Sequence, residues 1–460
     1  MQRHDTGTRS TRRLATGMAA TLAVASLALA TIVTAEHREN GRWVGTWGAS
    51  PQAVASPVQT AIASDRHDDG HRERWVGTWG NALHQPDLGV PGLNNSGFNN
   101  QTLRQIVHVS VGGARVRVRL STFGASGLVI GAANIALSAT GASTVPGSDR
   151  TLTFGGDPSI TIPPGALVVS DPVELEVPDR GDLAVSIFVP EDTGPATRHF
   201  LGQQTSFISP PGDFTGSAVM PVSSTTQARF WLAGVDVTAS EHTGVIVAIG
   251  ESITDGAQST VDANARWTDQ LARRLLAQPG HRAMGVLNEG LAGNRLLHDS
   301  LGPNALARFD RDVLAQTGVT HVMVQAGAND IFTLNPVEEA TVEQVIQGHR
   351  QLIERAHSKG LRIFGCTLAP VEGFLQPGTP FPVFTPEKEV KRQAVNAWIR
   401  TSGEYDGVID FDRVLRDPTS PTKIRALYDS GDHGHPNDLG YNALANAIDL
   451  KLFRNDQGPH

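Results

Sequence analysis

From Ser240 onward short apolar runs alternate with stretches whose apolar residues recur every three or four positions, and no other feature narrows the fold of this chain so far. GVIVAIG, MGVLNEG, THVMVQAGAND, LRIFGCTLAP and GVIDFD read as strands; RWTDQLARRLLAQ, VEQVIQGHRQLIERAHSKG and EKEVKRQAVNAWIRTSG read as amphipathic helices. Strands separated by helices predict a parallel sheet covered on both faces, with functional groups at the carboxyl ends of the strands. Residues 241–460 are therefore expected to form one α/β domain.

Residues 101–237 have a different texture: short period-two runs rich in Val, Ile, Thr and Phe, separated by Gly and Pro. They predict a β-sandwich or jelly-roll-like domain over 74–240. ARVRVRLST alternates Val and Leu with Arg and Ser, the pattern of a sheet with one wet face. RWVGTWG occurs twice, at 42–48 and 74–80. The second copy is expected to pack on the β domain and the first to be a looser duplicate. Trp43, Trp47, Trp75 and Trp79 suit stacking on sugars or, more commonly, burial against a sheet.

Residues 1–35 open with four Arg, run apolar over 14–33 and meet small residues before Ala35, the signature of a cleaved export signal, with an uncleaved membrane anchor as the alternative. Residues 36–73 read as a flexible linker; its His67, Asp68, Asp69, His71 cluster matches no standard metal-ligand spacing. The formal charge is −8, and removing the leader, with four Arg and one Asp, leaves −11, which argues against a nucleic-acid partner. Cys366 is the sole cysteine, so an intrachain disulfide is excluded, and its apolar surroundings predict a buried thiol.

Polar residues at strand ends carry the chemistry. Ser252 follows directly on GVIVAIG, where the chain must turn and its hydroxyl can leave the sheet edge; no G-x-S-x-G surrounds it, so a nucleophile elbow is not indicated. Asp432 and His435 lie three apart in DHGHPNDLGY, a spacing that lets the carboxylate hold one ring nitrogen while the other faces Ser252. His433 falls one residue too early for that face and is expected to point to solvent. NEGLAGNR and GAND also end apolar strands, and the N–H groups of Ser252 and Gly293 with the amide of Asn329 are candidates for an oxyanion hole.

The ordered set Gly-x-Ser, Gly-x-x-Gly, Gly-x-Asn-Asp and Asp-x-x-His-Pro resembles the SGNH, or GDSL-type, hydrolase family over residues 244–452. The resemblance implies a flavodoxin-like three-layer α/β/α fold with no metal and no organic cofactor. It also implies Ser252 as nucleophile, Asp432 and His435 completing a triad, and Ser252, Gly293 and Asn329 as oxyanion donors. The family usually has Asp before its serine, where this chain has Glu251. WVGTWG with the strand-rich segment after it looks like the N-terminal β domain of secreted bacterial lipases, arylesterases and acylhydrolases.

Phe374, Phe381 and Phe384 lie in the 373–389 loop, where they either form an apolar wall for an acyl or aryl group or pin the loop to the body. The expected function is a secreted serine ester hydrolase acting on short-chain or aryl esters, with no stable membrane partner. A deacetylase acting on acetylated polysaccharide is the alternative, and a non-catalytic glycan-binding protein the reading from another class.

Overall fold

The computed structural model describes residues 73–86, 97–123, 127–278, 283–376 and 382–454. The leader, the linker with its His67 cluster, the first heptad copy and Phe381 lie outside the described residues.

Residues 73–240 build two main antiparallel sheets. One has the spatial order Glu73–Gly80, Leu232–Ser240, Gly113–Ser121, Leu167–Val169, with Val173–Val177 also paired to Gly113–Ser121. The other has six strands in the order Ser224–Thr226, Ser206–Pro211, Gln101–His108, Asp182–Val189, Ala132–Leu137, Arg150–Thr151. Every second residue faces a shared core: Val116, Val118 and Leu120 from the first sheet, Leu183, Val185 and Ile187 from the second. The run LVIGAANIAL breaks at Gly131, where a Cβ would press on the Phe188 ring; Leu128–Ile130 pairs instead with Ile160–Ile162.

The expected wet face of ARVRVRLST is not wet. Arg117 and Arg119 are 8% and 5% exposed. Arg117 pairs with Asp236 at 2.9 Å and stacks 4.5 Å from the Trp75 ring centroid, while Arg119 donates to Gln316 of the α/β half at 2.7 Å. The face is polar but covered: Asp236, on the neighbouring strand Leu232–Ser240 of the same sheet, pairs with Arg117, and Gln316 of the α/β half accepts from Arg119.

Five parallel strands follow: β1 (Gly244–Gly250), β2 (Met284–Gly290), β3 (Val319–Gln325), β4 (Arg362–Cys366) and β5 (Gly407–Ile409), in the order β2-β1-β3-β4-β5. This is the flavodoxin-like doubly wound order. Four longer helices cover it: α1 (Trp267–Ala277), α2 (Val342–His357), α3 (Pro386–Thr401) and α4 (Asp438–Ala447). β1 shows how two faces are buried at once. Val245, Val247 and Ile249 share a core with Val345, Leu352, Val395 and Ile399 of α2 and α3, whereas Ile246 and Ala248 pack with Trp267, Leu271, Tyr441 and Leu444 of α1 and α4. Local sequence marks the helix starts: Thr341 and Gln344 form a reciprocal capping box on α2, and Thr385 caps α3 ahead of Pro386. Cys366 is fully buried, and burial raises its thiol far above the ordinary value.

The 74–80 heptad lies within strand Glu73–Gly80, which crosses onto β2. Gly77 donates to Thr317 O at 2.8 Å, and a Cβ on Gly285 of β2 would overlap the Gly77 carbonyl oxygen. The glycines thus allow backbone-on-backbone contact between the β sheet and the α/β half. Trp79 is 8% exposed, with the Arg229 guanidinium 5.0 Å from its ring centroid. Among the described residues no helix is long and apolar enough to cross a membrane.

Candidate active site

β1 ends at Gly250, Glu251 is extended, and Ser252 opens a single helical turn, Ser252–Asp255, closed by Gly256 at φ 96°. The N–H groups of Gly256 and Ala257 both donate to Ser252 O at 2.9 Å, and a Cβ on Gly256 would strike the Arg266 side chain. The turn places Ser252 outside the carboxyl end of β1, at the switch point where β2 and β3 leave in opposite directions.

The loop before α4 brings Asp432 and His435 to the same place. Asp432 Oδ1 accepts the backbone N–H groups of Gly434 at 2.9 Å and His435 at 2.8 Å. Its Oδ2 lies 2.6 Å from His435 Nδ1, and His435 Nε2 lies 2.8 Å from Ser252 Oγ. With Nδ1–H donating to the carboxylate, Nε2 is left to accept the Ser252 hydroxyl proton. Burial alone would raise the Asp432 carboxyl; the hydrogen bond and charge of His435 with the two backbone donors outweigh it and hold it well below the usual carboxylate range. Gln258, in the left-handed region at φ 68°, donates to Asp432 Oδ2 at 3.3 Å. The His433 side chain is 57% exposed and turns to Asp429 Oδ2 at 2.5 Å.

Two further loops are tied to the serine turn. Gly293 has φ 73°, and a Cβ there would strike Leu301; Asn294 N closes this turn on Leu291 O at 3.0 Å. The Asn329 amide donates to Asn294 O at 2.9 Å, so one of its two N–H groups is engaged by the backbone next to Gly293. Glu251 Oε1 accepts the N–H of Gly327 at 2.7 Å and of Asn329 at 3.3 Å. Residues 251–252, 293–294 and 327–329 are thereby linked at one edge of the sheet. Burial, helped by the Asp330 charge, pushes the Glu251 carboxyl up to about 8.

Arg308 has no mark in the sequence, yet it is 1% exposed and fastens three parts of this edge. It donates to Gly250 O at 3.0 Å, Glu289 O at 2.8 Å and Asn294 Oδ1 at 2.9 Å, with Asp312 as its counter-ion at 3.0 Å. Two of these partners lie at the ends of β1 and β2, so only the folded sheet reveals the role.

Phe374 stands edge-on to the His435 ring at 5.3 Å between centroids, next to Leu375, which is 54% exposed. Phe374 and Phe384 are both half-buried against the apolar core. Among the described residues no group of three or more His, Cys, Asp or Glu side chains is placed to hold a metal ion.

Residues 248–443 match the GDSL-like Lipase/Acylhydrolase family. Solved structures similar to this chain include a GDSL-like lipase from Bacteroides thetaiotaomicron, 17% identical over 45% of this chain and 87% of that one at a TM-score of 0.35. They also include an acetylxylan esterase from Geobacillus stearothermophilus, 20% identical over 44% of this chain and 91% of that one at 0.34. A third is an aryl esterase from M. smegmatis, 17% identical over 45% and 96% at 0.35. No curated protein matches the chain.

Proposed function

We propose that this chain, whose residues 248–443 match the GDSL-like Lipase/Acylhydrolase family, is a carboxylic ester hydrolase that works through an acyl-enzyme on Ser252. Ser252 Oγ attacks the acyl carbonyl as His435 Nε2 takes its proton, and Asp432 holds the ring and stabilises the imidazolium. The backbone N–H groups of Ser252 and Gly293 and the second N–H of the Asn329 amide receive the tetrahedral oxyanion. Collapse breaks the ester C–O bond and His435 returns the proton to the departing alcohol. Water, deprotonated by the same His435, then attacks the acyl-serine and releases the acid. The observation that carries this reading is the unbroken relay of 2.8 Å from Ser252 Oγ to His435 Nε2 and 2.6 Å from His435 Nδ1 to Asp432.

The proposed substrates are short-chain or aryl esters, supported by the Phe374 edge beside His435 and the exposed Leu375 next to it. We also propose that the 1–35 leader exports the chain, so that secreted material would begin at Glu36. Hydrolysis of p-nitrophenyl esters from acetate to palmitate, with Ser252→Ala as control, tests the substrate and the nucleophile together. Serine-dependent turnover peaking at short chains is expected. Activity retained by pure Ser252→Ala would remove the nucleophile assignment, and acetate release from acetylated xylan without nitrophenyl ester hydrolysis would favour the deacetylase alternative.

A further inference from the structure

The catalytic turn is gripped from outside its own sheet. Segment 199–205 of the β-rich half runs along residues 255–266. Gln203 donates to Gly256 O at 3.1 Å, Thr205 N and Oγ1 each reach Asp262 at 2.6 Å, and Arg266 donates to Gly202 O. The innermost contact is made by His199, which is 3% exposed. Its Nδ1 faces Ala82 O at 2.9 Å, and its Nε2 faces Leu201 O at 3.2 Å and Asp255 Oδ1 at 2.9 Å. Asp255, 2% exposed, uses its other oxygen to accept the N–H of Ala292 at 2.8 Å. Ala292 directly precedes Gly293.

From this chain of contacts we propose that His199 is a positioning residue for ester hydrolysis: through Asp255 it fixes the Ala292 peptide and so aims the Gly293 N–H at the oxyanion. The inference rests on the acyl-enzyme reading above. The turn Leu291–Asn294 is short and closed, so a rotated Ala292 peptide re-aims the next N–H. Without His199 the buried Asp255 carboxylate keeps one fewer donor and must reorganise to recover one. An interface residue that only held two layers together would not reach this loop. Because the oxyanion forms in the transition state, loss of the link lowers kcat and leaves KM nearly unchanged.

The test uses two isosteric variants of the full chain. His199→Asn keeps an amide near Nδ1 to meet Ala82 O but is too short for Asp255; His199→Gln places its amide nitrogen near Nε2. Turnover of p-nitrophenyl acetate is expressed per active site titrated with a fluorophosphonate, so that only competent molecules count. His199→Asn is expected to lose about ten- to a hundredfold in kcat, the scale of a small misplacement of a reacting group, with His199→Gln recovering to within about threefold of wild type. Equal losses in both variants, a loss confined to KM, or a wild-type kcat in His199→Asn would overturn the proposal. If His199→Asn does not fold, Asp255→Ala breaks the same link from the other end, and a wild-type kcat there overturns it equally. A wild-type chain inactive on all esters would instead overturn the hydrolase reading, and this inference with it.

Discussion

The buried carboxyl of Glu251 accepts the backbone N–H of Gly327 at 2.7 Å, joining the residue before the serine to the turn that carries Asn329. Burial and the Asp330 charge raise this carboxyl to about 8. In the unfolded chain it titrates near the ordinary glutamate value of about 4.3. Between those values the folded chain holds a proton the unfolded chain has lost, so the contribution is fully present at low pH and vanishes as pH rises through about 8. Glu251→Gln is expected to remove that slope, by roughly 3–5 kcal/mol at its limit. Urea unfolding of both proteins at acidic and alkaline pH measures it; parallel pH profiles would show that Glu251 is not the titrating group.

Asp432 receives the His435 Nδ1–H and two backbone N–H groups. Asp432→Asn is expected to keep the loop while presenting the ring in the wrong tautomer, lowering kcat on the order of 10⁴-fold. Circular dichroism alongside p-nitrophenyl acetate kinetics separates this from unfolding.

The Asn329 amide donates one N–H to Asn294 O, and its second N–H is the proposed oxyanion donor. Asn329→Ala is expected to lower kcat by about 10²–10³ with KM little altered. A rise in KM alone would place the amide on the ground-state ester. Gly293→Ala meets both the left-handed φ of 73° and the Leu301 side chain, and should lose kcat by moving the same loop.

A Cβ on Gly285 would overlap the carbonyl oxygen of Gly77. Gly285→Ala is therefore expected to destabilise the chain by about 1–3 kcal/mol, read as a lower urea midpoint, while kcat per titrated site stays near wild type. An unchanged midpoint would mean that the two backbones separate freely.

The α/β half was readable because its strands are buried on both faces and so announce themselves as uninterrupted apolar runs: GVIVAIG and MGVLNEG coincide with β1 and β2 from first residue to last. The β-rich half was harder. The alternation around Arg117 and Arg119 told which face was polar and not what would cover it, since their partners Asp236 and Gln316 lie 119 and 197 residues away. Asp432 and His435 could be paired from a spacing of three. His199 and Arg308 could not be found, because each acts on backbone or carboxylate groups that only the folded sheet brings near. Of the loop phenylalanines, only contact with the His435 ring distinguishes Phe374 from Phe384, and composition carries no such information.

Ser252 and His435 meet across 183 residues of chain. A ribosome that has just passed β1 has made a serine without its proposed base, and all five strands of the parallel sheet and helices α1 to α3 are synthesised before Asp432 and His435 arrive. Nascent or prematurely ended chains should therefore carry a chemically inert serine, and a single cut in any intervening loop that lets the two pieces part would switch off hydrolysis without touching a catalytic residue.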